Sequence, residues 1–307
     1  MSSRLEKRAV AMLRRRRAAL PAIGEMDRST EGRGHTALVT GASSGIGRSI
    51  AQLLAAKGYD VVAVARRAER LKEVQVELES RWEVKVHPLP CDLSVEGASA
   101  EITDELDRLG IEVDYLVNNA GLLQYGFYLD HSWEKQYEFL RVMCLGVAEL
   151  THRLMPHMVE QRWGRIINVT SVGGFFPGSR NMGLYIASKT FVQRISEAIN
   201  LEYGDAGVHC TVCAPGATES ELYLADHDIT DYLTNSLIPQ LSMMRPERIA
   251  REAYAGCAAN KKFVVPGVSY RLWIATLQHA PAPLRYKMVE WVGTMGPQPT
   301  GEPAPQV

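Results

Sequence analysis

Seven short β-branched runs, separated by longer stretches of helical periodicity, predict an α/β fold: a doubly wound parallel sheet with helices on both faces. The runs are Ala37–Val39, Val61–Val64, Val84–Val86, Tyr115–Val117, Arg165–Val169, Val208–Val212 and Phe263–Val265. Intervals of about 20–50 residues between them suit helical crossovers, which parallel neighbours require. Composition agrees: 307 residues, 46% hydrophobic and 22% charged, give a substantial core. With 34 Lys+Arg against 35 Asp+Glu the net charge is -1, so no overall basic field draws the chain to nucleic acid. No apolar run reaches the ~18 residues of a membrane-spanning helix. Five cysteines in this length do not make a disulfide scaffold and fit a reducing cytoplasm.

The ends differ from the body. Residues 1–35 hold 9 Lys/Arg and 4 Asp/Glu, net +5, which leaves 25 against 31, net -6, in the rest. This basic extension has Leu5, Ala9, Met12 and Leu13 on one helical face before Arg14–Arg17. It reads as a solvated helix or frayed tail, or as a cationic segment making peripheral contact with an anionic membrane or a partner. Glu6, Glu25 and Asp27 count against an organellar presequence. Residues 36–267 read as one catalytic domain and 268–293 as a helical extension. Residues 294–307, with four prolines and two glycines, read as a disordered tail.

After the first strand comes Thr40-Gly41-Ala42-Ser43-Ser44-Gly45-Ile46-Gly47, with a helix expected from about Ile46. Glycines at this spacing permit a tight turn and close approach of backbone to a pyrophosphate, whose charge meets the helix N-terminus. A lone glycine-rich loop also serves ordinary turns; the strand–loop–helix context makes this one a dinucleotide site. The second strand ends at Arg66-Arg67, with no carboxylate for the ribose hydroxyls. Arg66 can instead fork onto a 2′-phosphate, favouring NADP(H) over NAD(H), while Arg67 reads as opening a solvated helix. Asp92, followed by Leu93, can accept from the adenine amino group or cap a helix. Asn118-Asn119-Ala120-Gly121 ends the fourth strand, at the edge where ligands of open α/β sheets lie.

Tyr185 and Lys189 stand at i and i+4 near the start of a helix running to about Tyr203, so phenol and ammonium share a face. The ammonium should lower the phenol's pKa and fit it to exchange a proton with a carbonyl or alcohol. Ser171, just after the fifth strand, can hydrogen-bond the reacting oxygen.

From about Thr36 to Gly267 these motifs, with Pro215-Gly216, resemble the short-chain dehydrogenase/reductase family of the compact single-domain kind. The resemblance implies a Rossmann-type fold, hydride transfer between a nicotinamide and an alcohol or carbonyl, and a homodimer or tetramer. It implies that Lys189 bonds the nicotinamide ribose and that the Pro215–Thr218 loop meets the carboxamide through its main chain. Val264–Gly267 followed by a helical extension is similar to reductases acting on lipid-like or uncharacterised carbonyls. The apolar, Met-rich segment Glu219–Met244, joined by Phe175, Phe176 and Met182, either shapes a pocket for a hydrophobic carbonyl or alcohol or packs on its own domain. The extension, Val268–His279 and Leu284–Val292, closes that pocket, forms a subunit contact or lies on a membrane. The second reading, a dinucleotide-binding sensor or scaffold with little activity, has Ser171, Tyr185 and Lys189 against it.

Two signals carry no chemistry: Cys210 and Cys213 fall three apart on a strand, facing opposite sides, and His152 and His157 lack companions for a metal. One position departs from the family pattern. Met143 stands where members carry an Asn thought to hold a water that resupplies protons to the lysine, and a thioether is only a weak acceptor. Met143→Asn should therefore raise turnover under steady-state assay; an unchanged rate in a folded variant would mean that protons reach the lysine by another path.

Overall fold

The computed structural model describes residue 23, residues 29–219 and residues 243–294. The expectations for the basic N-terminal segment, for most of 219–244 and for the tail beyond 294 lie outside the described residues. Within them the chain runs β1 (Thr36–Thr40), α1 (Gly45–Ala56), β2 (Asp60–Ala65), α2 (Ala68–Arg81), β3 (Val86–Pro90), α3 (Ala98–Leu109) and β4 (Tyr115–Asn118). The second half runs α4 (Trp133–Leu140), α5 (Gly146–Glu160), β5 (Gly164–Val169), α6 (Gly183–Tyr203), β6 (Val208–Cys213), α7 (Pro246–Ala258), β7 (Phe263–Val264), α8 (Val268–His279) and α9 (Ala282–Thr294).

All neighbouring strands pair in parallel, in the order β3-β2-β1-β4-β5-β6-β7. The order reverses direction between β1 and β4, and a crevice opens there beyond the strands' carboxyl ends. The strands are apolar without alternation because both faces are covered. Ala37 and Val39 of β1 join one core with α1, α2 and α7, while Leu38 joins the other with α3, α5 and α6. Each fully buried aliphatic side chain contributes roughly 1.5–3 kcal/mol. Cys210 and Cys213 divide between these two cores, as their spacing required.

The third strand differs from expectation. It begins at Val86, where the apolar run ends, and includes Pro88 and Pro90. Proline lacks an N–H and is tolerated at a sheet edge, which is where β3 lies. The seventh strand is only Phe263–Val264.

At the sheet's amino edge, buried Asp114 ties three elements together. It accepts from Thr36 N at 2.9 Å and Gln161 Nε2 at 2.6 Å, and His35 and His157 each approach to 3.3 Å. His157 is thus a packing residue. Among the described residues, no helix is long and apolar enough to cross a membrane, and no group of three or more His, Cys, Asp or Glu could hold a metal.

The helix after β4 is interrupted. Between α4 and α5, Arg141–Leu145 form a π-helical turn that carries Met143. Such turns hold one residue more than an α-helical turn and recur beside functional sites.

Candidate active site

A cleft of about 790 Å³ lies at the carboxyl edge of the sheet. It is lined by the loops that follow each of the first six strands and by the first turns of α6. Gly41, Ser43, Ser44, Gly45, Ile46, Arg66, Asp92, Leu93, Asn119, Ala120 and Gly121 line it, as do Ser171, Tyr185, Lys189, Pro215, Gly216 and Thr218. Gly47, of the same glycine loop, stands behind the wall. A Cβ there would run into the Gly41 carbonyl and the Asn119 amide, so its glycine serves close packing of helix on loop.

Gly41 takes a left-handed φ of +69°, which turns the chain sharply out of β1. Ser44, the N-cap of α1, makes no side-chain capping bond. The first N–H groups of α1 are therefore free of a side-chain partner and can serve an anion. Thr40 holds the loop to β4: its hydroxyl accepts from Asn119 N at 2.9 Å and Ala120 N at 3.0 Å, and the Asn119 side chain donates back to the Thr40 carbonyl at 2.9 Å.

Arg66 and Arg67 both line the cleft. Arg66 is largely exposed, with Nη1 3.9 Å from Asp92 Oδ2. Arg67, expected on a solvated helix, donates from Nη2 to Ser43 Oγ at 3.1 Å and Ser44 Oγ at 3.3 Å. It precedes α2 in an extended conformation (φ -91°, ψ 95°), so its guanidinium leaves toward the loop. Asp92 caps no helix, since α3 begins only at Ala98. It closes a turn instead, Oδ1 accepting from Ser94 N at 3.0 Å and Ser94 Oγ at 2.8 Å.

Ser171 follows β5 and caps a short 3-10 turn, Val172–Phe175, its Oγ accepting from Gly173 N at 3.1 Å. Its hydroxyl stands near enough to the Tyr185 phenol to lower the phenol's pKa. Lys189 Nζ lies 5.8 Å from the Tyr185 ring centre and donates to the Val169 carbonyl at 3.2 Å. The expected depression of the phenol does not occur: burial pushes Tyr185 up, and the Ser171 hydroxyl opposes it only in part. The ammonium is itself buried, and on the resting phenol burial is the larger effect. Burial pushes Lys189 down to about 8, with Cys144 acting in the opposite sense.

Met143 is buried in the π turn, and its Sδ accepts from Leu122 N at 3.2 Å. A Cβ added to Gly121 would lie 3.6 Å from that sulfur and 3.8 Å from Lys189 Nζ, so thioether and ammonium flank the same glycine. The thioether is the acceptor for a main-chain N–H at this place.

Beyond Tyr185 the cleft wall is apolar, built from Leu122, Leu123, Val142, Phe176, Met182 and Ile186. Phe175 does not join it; its ring packs 5.7 Å from that of Phe263. Glu138 and Arg180, both exposed, add charge. The C-terminal extension, for which closing the pocket was one expectation, does line it: α8 and α9 bring Tyr270, Trp273 and Val289, which the sequence reading did not single out, to the cleft. No local signal marks them, because their position depends on how the extension docks.

Fold and cleft together define a dinucleotide-dependent oxidoreductase acting on CH–OH or C=O groups. The chain belongs to the short-chain dehydrogenase family, whose model matches residues 35–227. It is 29% identical over 231 residues to a 3-oxoacyl-(acyl-carrier-protein) reductase of Aquifex aeolicus, covering 75% of this chain and 93% of the relative. A fatty acyl-CoA reductase of Acinetobacter baylyi is 32% identical over 227 residues, covering 71% and 76%. Among solved structures, a short-chain dehydrogenase from Sphingobium yanoikuyae in complex with NADPH superposes with a TM-score of 0.69 at 28% identity, covering 88% of this chain and 99% of that one.

The depressed Lys189 has a consequence for stability. An unfolded lysine titrates near ~10.4. Between about pH 8 and that value the unfolded chain holds a proton that the folded protein has released, so stability rises with pH across this window. Below it, the folded state bears the full cost of the buried charge. Thermal unfolding of the ligand-free protein should show Lys189→Met gaining on the parent near neutrality, with the gap narrowing as pH climbs through the window. A gap that is constant with pH would mean that the buried amine is not what titrates.

Proposed function

We propose that the protein is an NADP(H)-dependent oxidoreductase that interconverts a hydrophobic ketone or aldehyde and its alcohol. The observation that carries this reading is the placement of Ser171, Tyr185 and Lys189 on one cleft, between an anion-binding loop and an apolar wall. The open N-terminus of α1 beyond Gly41 fits a pyrophosphate. Asp92 and Leu93 would border the adenine, Asn119–Gly121 the adjoining ribose, Lys189 the nicotinamide ribose, and Pro215–Thr218 the carboxamide. Arg66 and Arg67, with Ser43 and Ser44 beside them, supply donors for a 2′-phosphate, and no carboxylate ends β2.

When bound, the nicotinamide supplies or accepts a hydride at C4. The chain's own groups manage the proton. In reduction, the Tyr185 hydroxyl gives its proton to the carbonyl oxygen while the Ser171 hydroxyl donates a hydrogen bond to the same oxygen, stabilising its growing negative charge. The raised Tyr185 keeps the phenol protonated before reaction, which suits an acid. The Lys189 ammonium, close to the ring, stabilises the phenolate left behind. Oxidation of an alcohol runs through the same groups in reverse.

The apolar wall favours a bulky hydrophobic substrate, and the two relatives above act on acyl chains by their names. A panel of carbonyls assayed by NADPH loss tests the reading. Turnover should appear on apolar members and fall at least ~100-fold in Tyr185→Phe; equal rates in parent and variant would overturn it. Cofactor choice has its own check. Arg66→Ala/Arg67→Ala should lower kcat/KM for NADPH by about 10–100-fold and leave NADH nearly unchanged. An equal loss with both would remove the 2′-phosphate from the account.

A further inference from the structure

The loop after β6 is held by a residue far outside the region that matches the family model. The match ends at residue 227, and α8 begins at Val268. Yet Tyr270 lies directly against Gly216, where an added Cβ would overlap its ring. Its phenolic oxygen accepts the Ala217 N–H at 3.0 Å. The rest of the loop is tied by main chain: Pro215 O accepts from Val172 N at 3.0 Å, Ala217 O from Met244 N at 2.9 Å, and Met244 O from Glu219 N at 3.0 Å. The Thr218 hydroxyl donates to Gly216 O at 3.0 Å.

Gly216 is the weak point of this arrangement. A glycine gives the peptide between residues 216 and 217 wide freedom to rotate. Rotation would exchange a donor for an acceptor on the cleft wall, at a place where recognition of a ligand amide depends on which group faces inward. The Tyr270 ring fills the space that glycine leaves, and its oxygen fixes the direction of the one N–H most affected by the rotation. Both restraints come from a single side chain.

We propose that Tyr270 is a positioning residue for the dinucleotide, holding Gly216–Thr218 in the shape that the nicotinamide end requires, so that the C-terminal extension is part of the cofactor site. This rests on the dinucleotide reading above. The adenosine end would lie at Ser43, Arg66 and Asp92, none of them on the loop that Tyr270 holds; a defect in Tyr270 should therefore be confined to one end of the cofactor.

Calorimetric titration of the full chain separates the ends. NADPH is compared with 2′-phospho-ADP-ribose, which lacks only the nicotinamide. Tyr270→Phe keeps the ring and removes the acceptor. It should weaken NADPH about three- to tenfold, the worth of one hydrogen bond, and leave the fragment unchanged. Gly216→Ala, which displaces the ring, should show the same asymmetry more strongly. Equal weakening of both ligands, or of neither, overturns the assignment to Tyr270 while the dinucleotide reading stands. If the parent protein binds neither ligand, the dinucleotide reading fails and takes this inference with it.

Discussion

The hydroxyl of Thr40 is the interaction on which the cleft depends. Buried at the end of β1, it donates toward Val117 O at 3.3 Å and accepts two N–H groups from the start of the loop after β4. These strands diverge in connection here, one leading to the helices of one face and the other to those of the opposite face. A parallel sheet has no turn to close such a gap, so side chains must do it. The Asn119 amide completes the tie by donating to the Thr40 carbonyl. The glycine loop on one side and the Asn119–Gly121 segment on the other then face a common space.

A second constraint is electrostatic. The cleft encloses a phenol and an amine whose charged forms are both disfavoured by burial, one pushed up and the other down. The two shifts favour the neutral pair before reaction, although Lys189 near 8 remains largely protonated at neutral pH. Chemistry that transiently charges the phenolic oxygen is where the ammonium becomes most valuable, since the attraction operates in a poorly screened environment. The thioether of Met143, bonded to a main-chain N–H where an amide was expected, leaves fewer polar atoms around that ammonium.

Much of this was legible in the sequence because its determinants are local. Apolar runs marked six strands closely, glycine spacing marked the phosphate loop, and the i, i+4 interval put Tyr185 and Lys189 on one helical face. Failures came where a distant or directional factor governs. Pro88 and Pro90 hid the true extent of β3, since only its edge position makes them tolerable. Arg67 opens α2, as its place in the sequence suggested, but its reach to Ser43 and Ser44 is a side-chain direction that spacing does not encode. Helical spacing placed the lysine near the phenol but said nothing of burial, which decided the sign of the shift. Tyr270 and Trp273 were invisible because they reach the cleft only through the docking of α8, which contacts the 3-10 turn after β5.

The π turn at Arg141–Leu145 joins two helical segments. On one side of it α4 buries Phe139, and on the other α5 buries Leu150 and Leu154 against a different core. A π turn spends about one residue more on a full rotation than an α turn does, so loss of a single residue there would restore regular winding with the faces of α5 kept in phase, and would remove the wide turn that carries Met143. A deletion in this segment would therefore be felt at the thioether beside Gly121 and Lys189 and not in the packing of α5.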